Sequence, residues 1–164
     1  MTCKLHLLNP ILKSGSVVMY RIPNKPILCT GGSGYVGSKL VPMLAQHCPV
    51  RVLETMTFGN SIAGTPNVEF IQGDIRDLDI LRQVVQGVDT IIHLAGIVTD
   101  ELVDLNLDYA TSVNVTAIHY LVHEATLAGV KRFIYASSSS VYGSQEAECY
   151  EGTKPFPQTA YAGM

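Results

Sequence analysis

Cys29-Thr30-Gly31-Gly32-Ser33-Gly34-Tyr35-Val36-Gly37-Ser38 is the stretch that decides how this chain is read. It follows a short apolar segment, Pro26 to Cys29, that reads as a strand, and it precedes an apolar-periodic segment, Tyr35 to His47, that reads as a helix. A glycine-rich turn between a strand and a helix can cradle an anionic diphosphate. Backbone N–H groups and the helix dipole point at the charge, and no Cβ blocks its approach. The spacing is Gly31-x-x-Gly34-x-x-Gly37, not the G-x-G-x-x-G of the commoner dinucleotide fingerprint. Pro42 falls inside the helix, which is expected to be shortened or bent there.

Outward from the turn, strands and helices alternate. Val50-Arg51-Val52-Leu53 is a β-branched run ending at Glu54, and a polar loop follows from Thr55 to Asn67. Val68 to Ile71 reads as a third strand, stopped by Gly73-Asp74. Asp77 suits the N-cap of a helix reaching Gln86, with Gly87 as its left-handed C-terminal cap. Val88 to Leu94 is too continuously apolar for a one-sided sheet and suits a parallel strand buried on both faces. From Asp104 to Ala128 the pattern predicts one long helix, with Ala110, Val113, Ala117, Leu121 and Ala125 on one face and Gly129 at its end. Phe133 to Ala136 is the last strand, and a polar, proline-containing loop follows Tyr142-Gly143. Helices between apolar strands imply right-handed crossovers. The expected fold is therefore α/β, a doubly wound parallel sheet of strand order 3-2-1-4-5 with the glycine turn at its switch point.

A length of 164 residues fits one domain, and 47% hydrophobic against 15% charged residues is enough for a sizeable core. A net charge of −3 leaves no basic footprint for nucleic acid. No apolar stretch approaches the ~20 residues that span a bilayer, so no membrane segment is expected. Cys3, Cys29, Cys48 and Cys149 are scattered without a C-x-x-C pair. That disfavours a metal site or a disulfide framework and suits a reducing, cytoplasmic setting, with Cys29 a small buried residue of the first strand. Residues 1–25 carry Lys4, Lys13, Arg21 and Lys25 but no acid, a faint transit-peptide character. The plainer reading is a flexible N-terminal extension, or an upstream start with Met19 as the true one, ahead of a single domain over residues 26–164.

Four further signals lie at strand ends. Glu54, closing the second strand, is placed to accept from both hydroxyls of an adenosine ribose. It would repel a 2′-phosphate, so it favours NAD over NADP; the plain alternative is a solvated strand-end acid. Asp74 can accept from an adenine amino group while Ile75 donates its backbone N–H, although carboxylates there also simply cap helices. His93-Leu94-Ala95-Gly96 ends the fourth strand with small residues that let backbone pass close to a flat ligand; His93 itself reads as a satisfied strand histidine. Ala136-Ser137-Ser138-Ser139-Ser140-Val141-Tyr142-Gly143 ends the fifth, at the edge where open α/β sheets bind ligands.

In this order the five blocks resemble the extended short-chain dehydrogenases/reductases, and more narrowly the NAD-dependent epimerase/dehydratase family that acts on nucleotide sugars. The resemblance covers residues 26–164 and implies a Rossmann-like fold. It implies that Gly31, Gly34, Tyr35 and Val36, in the turn closed by Gly37, contact the pyrophosphate. Glu54 would hold the ribose, although Asp is usual there, and Asp74 and Ile75 would bracket adenine. Leu94, Ala95 and Gly96 would line the cofactor with Ser137, and Asn114 matches a helix asparagine near the active centre. Ser138 matches the catalytic Ser/Thr. Where some members carry a Lys near the cofactor, this chain has Val98.

The family's chemistry uses Tyr-x-x-x-Lys, which puts both side chains on one helix face. A phenol titrates near about 10, and a neighbouring ammonium favours the phenolate that takes a proton as hydride passes to NAD. Tyr150-Glu151-Gly152-Thr153-Lys154 has the spacing but holds Gly152 and precedes Pro155, a poor helix, and reads as a chance match. Tyr161, after Pro155-Phe156-Pro157, fits the family's loop into the catalytic helix, and its lysine would follow Met164. The expectation is therefore the NAD-binding portion of an epimerase or dehydratase, cut before the lysine and the substrate domain and inactive alone. A nucleotide sugar would be the substrate and a homodimer the assembly of the full-length form. The other readings are a dehydrogenase of hydroxysteroid-like alcohols and a non-catalytic dinucleotide-binding protein.

Overall fold

The computed structural model describes residues 25–164. The reading of residues 1–25 as a flexible extension therefore falls, but for Lys25, outside the described residues. Five strands, β1 (Ile27–Thr30), β2 (Val50–Glu54), β3 (Val68–Gln72), β4 (Thr90–His93) and β5 (Arg132–Tyr135), form one sheet of order β3-β2-β1-β4-β5. Every pairing is parallel, so each crossover carries the chain back over a face of the sheet. This is the expected doubly wound order.

Alternation along the strands divides the core in two. Leu28, Leu53 and Ile91 face α2 (Leu78–Val84) and α5 (Ala117–Leu127), while Cys29, Val52 and Ile92 face α1 (Gly37–Ala45). All four residues of β1 and of β4 are buried, as the continuous apolar runs required. Cys29 behaves as a core residue: burial, with Glu54 nearby, pushes its thiol up to about 12, far from reactive thiolate character. Asp77 caps α2 by accepting from the N–H groups of Asp79 and Ile80. Gly87 and Gly129 take positive φ at the two helix ends where left-handed caps were expected.

Two helices differ from the sequence reading. α1 starts at Gly37 rather than Tyr35 and stops at Ala45, with Pro42 inside it. The single helix expected over 104–128 is four pieces: α3 (Asp100–Leu105), α4 (Leu107–Thr111), a π turn (Ser112–Thr116) and α5. The break is Asn106, at φ −152°, whose side chain accepts from the Tyr109 N–H and so starts a new helix instead of continuing the old one. The apolar face was nonetheless legible, since Ala110, Val113, Ala117, Leu121 and Ala125 are all buried.

Candidate dinucleotide site and catalytic cleft

The carboxyl ends of β1, β2, β4 and β5 share one edge of the sheet, and the sequence-marked residues gather along it. Each glycine of the turn has a separate reason. Gly31 sits at φ +70°, and a Cβ there would lie 2.6 Å from the Ala95 backbone nitrogen. A Cβ on Gly37 would overlap the Gly32 carbonyl, so the start of α1 packs onto the turn only without one. Gly34 is open by contrast: its Cβ would meet only the Gly31 carbonyl oxygen, at 3.2 Å. No side chain caps the N-terminus of α1 and its first turn holds no acid. The N–H groups of Tyr35 and Val36 have no acceptor among the described residues, and the Tyr35 side chain is exposed. Open space at Gly34 beside unpaired N–H groups at a helix start is a cradle for an anion.

Glu54 reaches back to this turn. One carboxylate oxygen accepts from the Ser33 N–H at 3.2 Å and the other from the Thr55 N–H at 3.0 Å. A carboxylate accepts at about four positions, so room remains for ligand hydroxyls. Asp74, beyond β3, is gripped by Arg76, whose Nη2 lies 2.6 Å from Oδ2 and whose backbone N–H donates to Oδ1. That pairing holds the Asp74 carboxyl below its ordinary range. Arg76 in turn stacks on the Tyr109 ring, 4.7 Å from its centroid, tying this loop to α4. Ile75 is buried in the core beneath.

At the other end is a cleft of about 410 Å³ lined by Leu94, Ala95 and Gly96, by Asn114, and by Ser137, Ser138 and Tyr161. Thr159 caps α6 (Ala160–Gly163), which carries Tyr161, and α6 packs against α3 and the 3-10 turn Ser139–Tyr142. Ser138 accepts from the Ser140 N–H at 3.2 Å, leaving its own O–H free to donate. Gly143, at φ +62°, allows the long loop to return so that the Phe156 N–H bonds the Val141 carbonyl at 2.8 Å. Asn114 lies in the π turn and is spent on the protein: it accepts from the Ile97 N–H and donates to the Ile97 carbonyl, both at 2.8 Å. It holds the loop after β4 in place rather than presenting a free amide. Tyr150 and Lys154 lie in a turn outside this cleft, so their helical spacing has no helix to act on. Among the described residues no lysine lines the cleft.

Among the described residues, His93 Nε2 and Asp100 Oδ1 are buried side-chain atoms without a hydrogen-bond partner. The His93 Nδ1 lies 2.6 Å from the Thr30 hydroxyl, and the ring stacks on Tyr135. Burial pushes its pKa down to about 4, so it is neutral and tethered, as a strand histidine should be. Sequence reasoning missed Ser33, Ser61, Ile97 and Arg76. Their roles are backbone and loop contacts that leave no periodic trace, and only the π turn at Asn114 carries a warning familiar from functional helices.

Residues 27–163 match the NAD dependent epimerase/dehydratase family. The chain belongs to that family. It is 35% identical over 136 residues to a 3 beta-hydroxysteroid dehydrogenase/Delta 5-->4-isomerase of Mycobacterium tuberculosis, an alignment covering 79% of this chain and 36% of the relative. Its fold matches a UDP-N-acetylglucosamine 4-epimerase from Methanobrevibacter ruminantium at a TM-score of 0.79 and 25% identity, over 85% of this chain and 46% of that one. It also matches DesIV, the dTDP-glucose 4,6-dehydratase of Streptomyces venezuelae with NAD bound, at a TM-score of 0.76 and 30% identity, over 84% and 47%. The chain thus spans less than half the length of each. No helix among the described residues is long and apolar enough to cross a membrane.

Proposed function

We propose that this chain supplies the NAD site and the Ser–Tyr pair of a nucleotide-sugar epimerase or dehydratase. One observation carries the reading: the open Gly34 cradle, the Glu54 carboxylate and the cleft holding Ser138 and Tyr161 follow one another along the carboxyl edge of a single sheet. In this reading the Tyr35 and Val36 N–H groups bind the pyrophosphate, Glu54 the adenosine ribose, and Asp74 with the Ile75 N–H the adenine. NAD, when bound, supplies the hydride acceptor. Tyr161 takes the proton of the substrate hydroxyl, and Ser138 donates a hydrogen bond that orients that oxygen. With no lysine in the cleft of the described residues, Tyr161 has no ammonium beside it to favour its phenolate. The 164-residue polypeptide is therefore expected to bind NAD without appreciable turnover. Exposed Tyr120 and Leu127, on one face of α5, support a homodimer.

Calorimetric titration of NAD into the purified chain tests the reading. Saturable binding is expected, and Gly34→Leu should abolish it, because a Cβ there meets only the Gly31 carbonyl and the larger side chain crowds the cradle. Binding unaffected by that change would overturn the assignment. A second reading, a hydroxysteroid-like alcohol as substrate, is favoured by the apolar cleft walls, Leu94, Ile97, Val98, Ile118 and Val141. Titrating a nucleotide sugar and a steroid alcohol against the NAD-loaded protein separates the two.

A further inference from the structure

The turn and the β2–β3 loop are joined by a pair of serines. Ser33, 7% exposed, donates its hydroxyl to the Gly59 carbonyl at 2.9 Å and accepts the Ser61 N–H at 2.9 Å. The Ser61 hydroxyl donates to the Ser33 carbonyl at 2.8 Å. Both hydroxyl protons are then used, so the 3.3 Å approach of the two Oγ atoms is a contact rather than a further hydrogen bond. The remaining polar group of Ser33, its N–H, is the one that meets Glu54. Ile62, next to Ser61, is buried in the α1-side core, so the latch is anchored on packed structure and not on a free loop.

We infer that Ser61 is a positioning residue that sets the preference for NAD over NADP. It fixes Ser33 through both backbone and side chain, and Ser33 fixes the oxygen of Glu54 nearest the turn. A carboxylate held in place meets the ribose hydroxyls without reorganising and cannot swing away from a 2′-phosphate. If the latch opens, Glu54 keeps only Thr55, its neighbour in sequence, and both properties weaken. This inference rests on the NAD site proposed above.

The test compares dissociation constants for NAD and NADP in the wild-type chain and in Ser61→Ala and Ser61→Thr. Loss of one hydrogen-bonded restraint should narrow the NAD:NADP ratio by about fivefold to tenfold in Ser61→Ala. Ser61→Thr, which keeps the hydroxyl, should restore it. A merely structural role would lower the melting temperature and leave the ratio as it was, and that result overturns the inference alone. Failure of the wild-type chain to bind either dinucleotide overturns the NAD site and this inference with it. Should Ser61→Ala not fold, Ser61→Cys, near-isosteric but a weak donor, must give the same narrowing, and an unchanged ratio in it overturns the inference equally.

Discussion

The glycine-turn half of the carboxyl edge and the cleft half are built differently. Around the turn, Ser33 has every polar group engaged, Glu54 is held at both oxygens, and the loop beside them is pinned by buried Ile62. The cleft is assembled from four separate segments against β5, where Ile134 is 45% and Tyr135 50% exposed, and His93 keeps an unpartnered nitrogen in its wall. The first half is preorganised by short-range backbone fit, and the second depends on a few tethers holding distant pieces together. Substitutions in the first should therefore act through steric exclusion and binding. In the second they should act through loss of a tether.

The largest effect expected is on the turn. Gly37→Ala places a Cβ onto the Gly32 carbonyl, where backbone on both sides cannot yield, and overpacking of that kind costs about 3 kcal/mol. In the cleft half, Gly96→Ala meets Asn114 Oδ1 at 3.2 Å, a contact relieved by a few tenths of an ångström, and should cost well under half as much. Urea unfolding of the two variants checks the contrast, and a larger loss from Gly96→Ala would invert it.

Of similar size is a pH effect that arises at His93 in the cleft wall. His93 titrates at about 4 in the folded chain. In the unfolded chain it titrates near about 6.5, so there the unfolded state binds more protons and stability falls as pH drops. The stability is present in full above about 6.5 and is lost progressively down to about 4, a change of about 3 kcal/mol. His93→Gln should flatten the slope of unfolding free energy across that window. A slope that survives in the variant would remove His93 as its source.

The same contrast explains what the sequence revealed. Strand order, the apolar face of the long helical stretch and the glycine turn were legible because they rest on periodicity and on glycine's special backbone, which single residues announce. The long helix was misread at Asn106 because an asparagine that caps looks, in a pattern, like one that rides on a helix surface. Ser138 and Tyr161 were proposed from family blocks, whereas the tethers that shape the cleft around them, Asn114 to Ile97 and Phe156 to Val141, are contacts between separate segments of the chain. The serine latch went unread for the same reason: Ser33 and Ser61 are ordinary loop residues until the fold brings them together.

Asn114 sharpens the comparison further. Asn114→Ala leaves the Ile97 N–H and carbonyl without partners in a partly buried setting, a loss of about 2 kcal/mol. Because that tether belongs to the cleft half, affinity for AMP should be unchanged while affinity for NAD falls. A parallel loss for both ligands would mean that the two halves are not independent.

The smallest expected effect falls on Arg76. It grips both oxygens of Asp74 and stacks on Tyr109, but the pair is exposed, and exposed ion pairs contribute less than about 1 kcal/mol. Arg76→Ala should therefore leave stability almost unchanged. Its effect belongs to the Asp74 carboxyl, which the guanidinium now holds below its ordinary range and which should titrate higher in the variant. The Arg76 backbone N–H still donates to Oδ1 after the change, so the carboxylate keeps its place but loses the charge that keeps it ionised as pH falls. Carbon-13 NMR of Asp74 across the acid range reads that movement directly, with AMP affinity at acid pH as the functional counterpart. An unmoved Asp74 titration would mean that Arg76 serves the stack on Tyr109, and that the turn half owes its order to backbone and serine contacts alone.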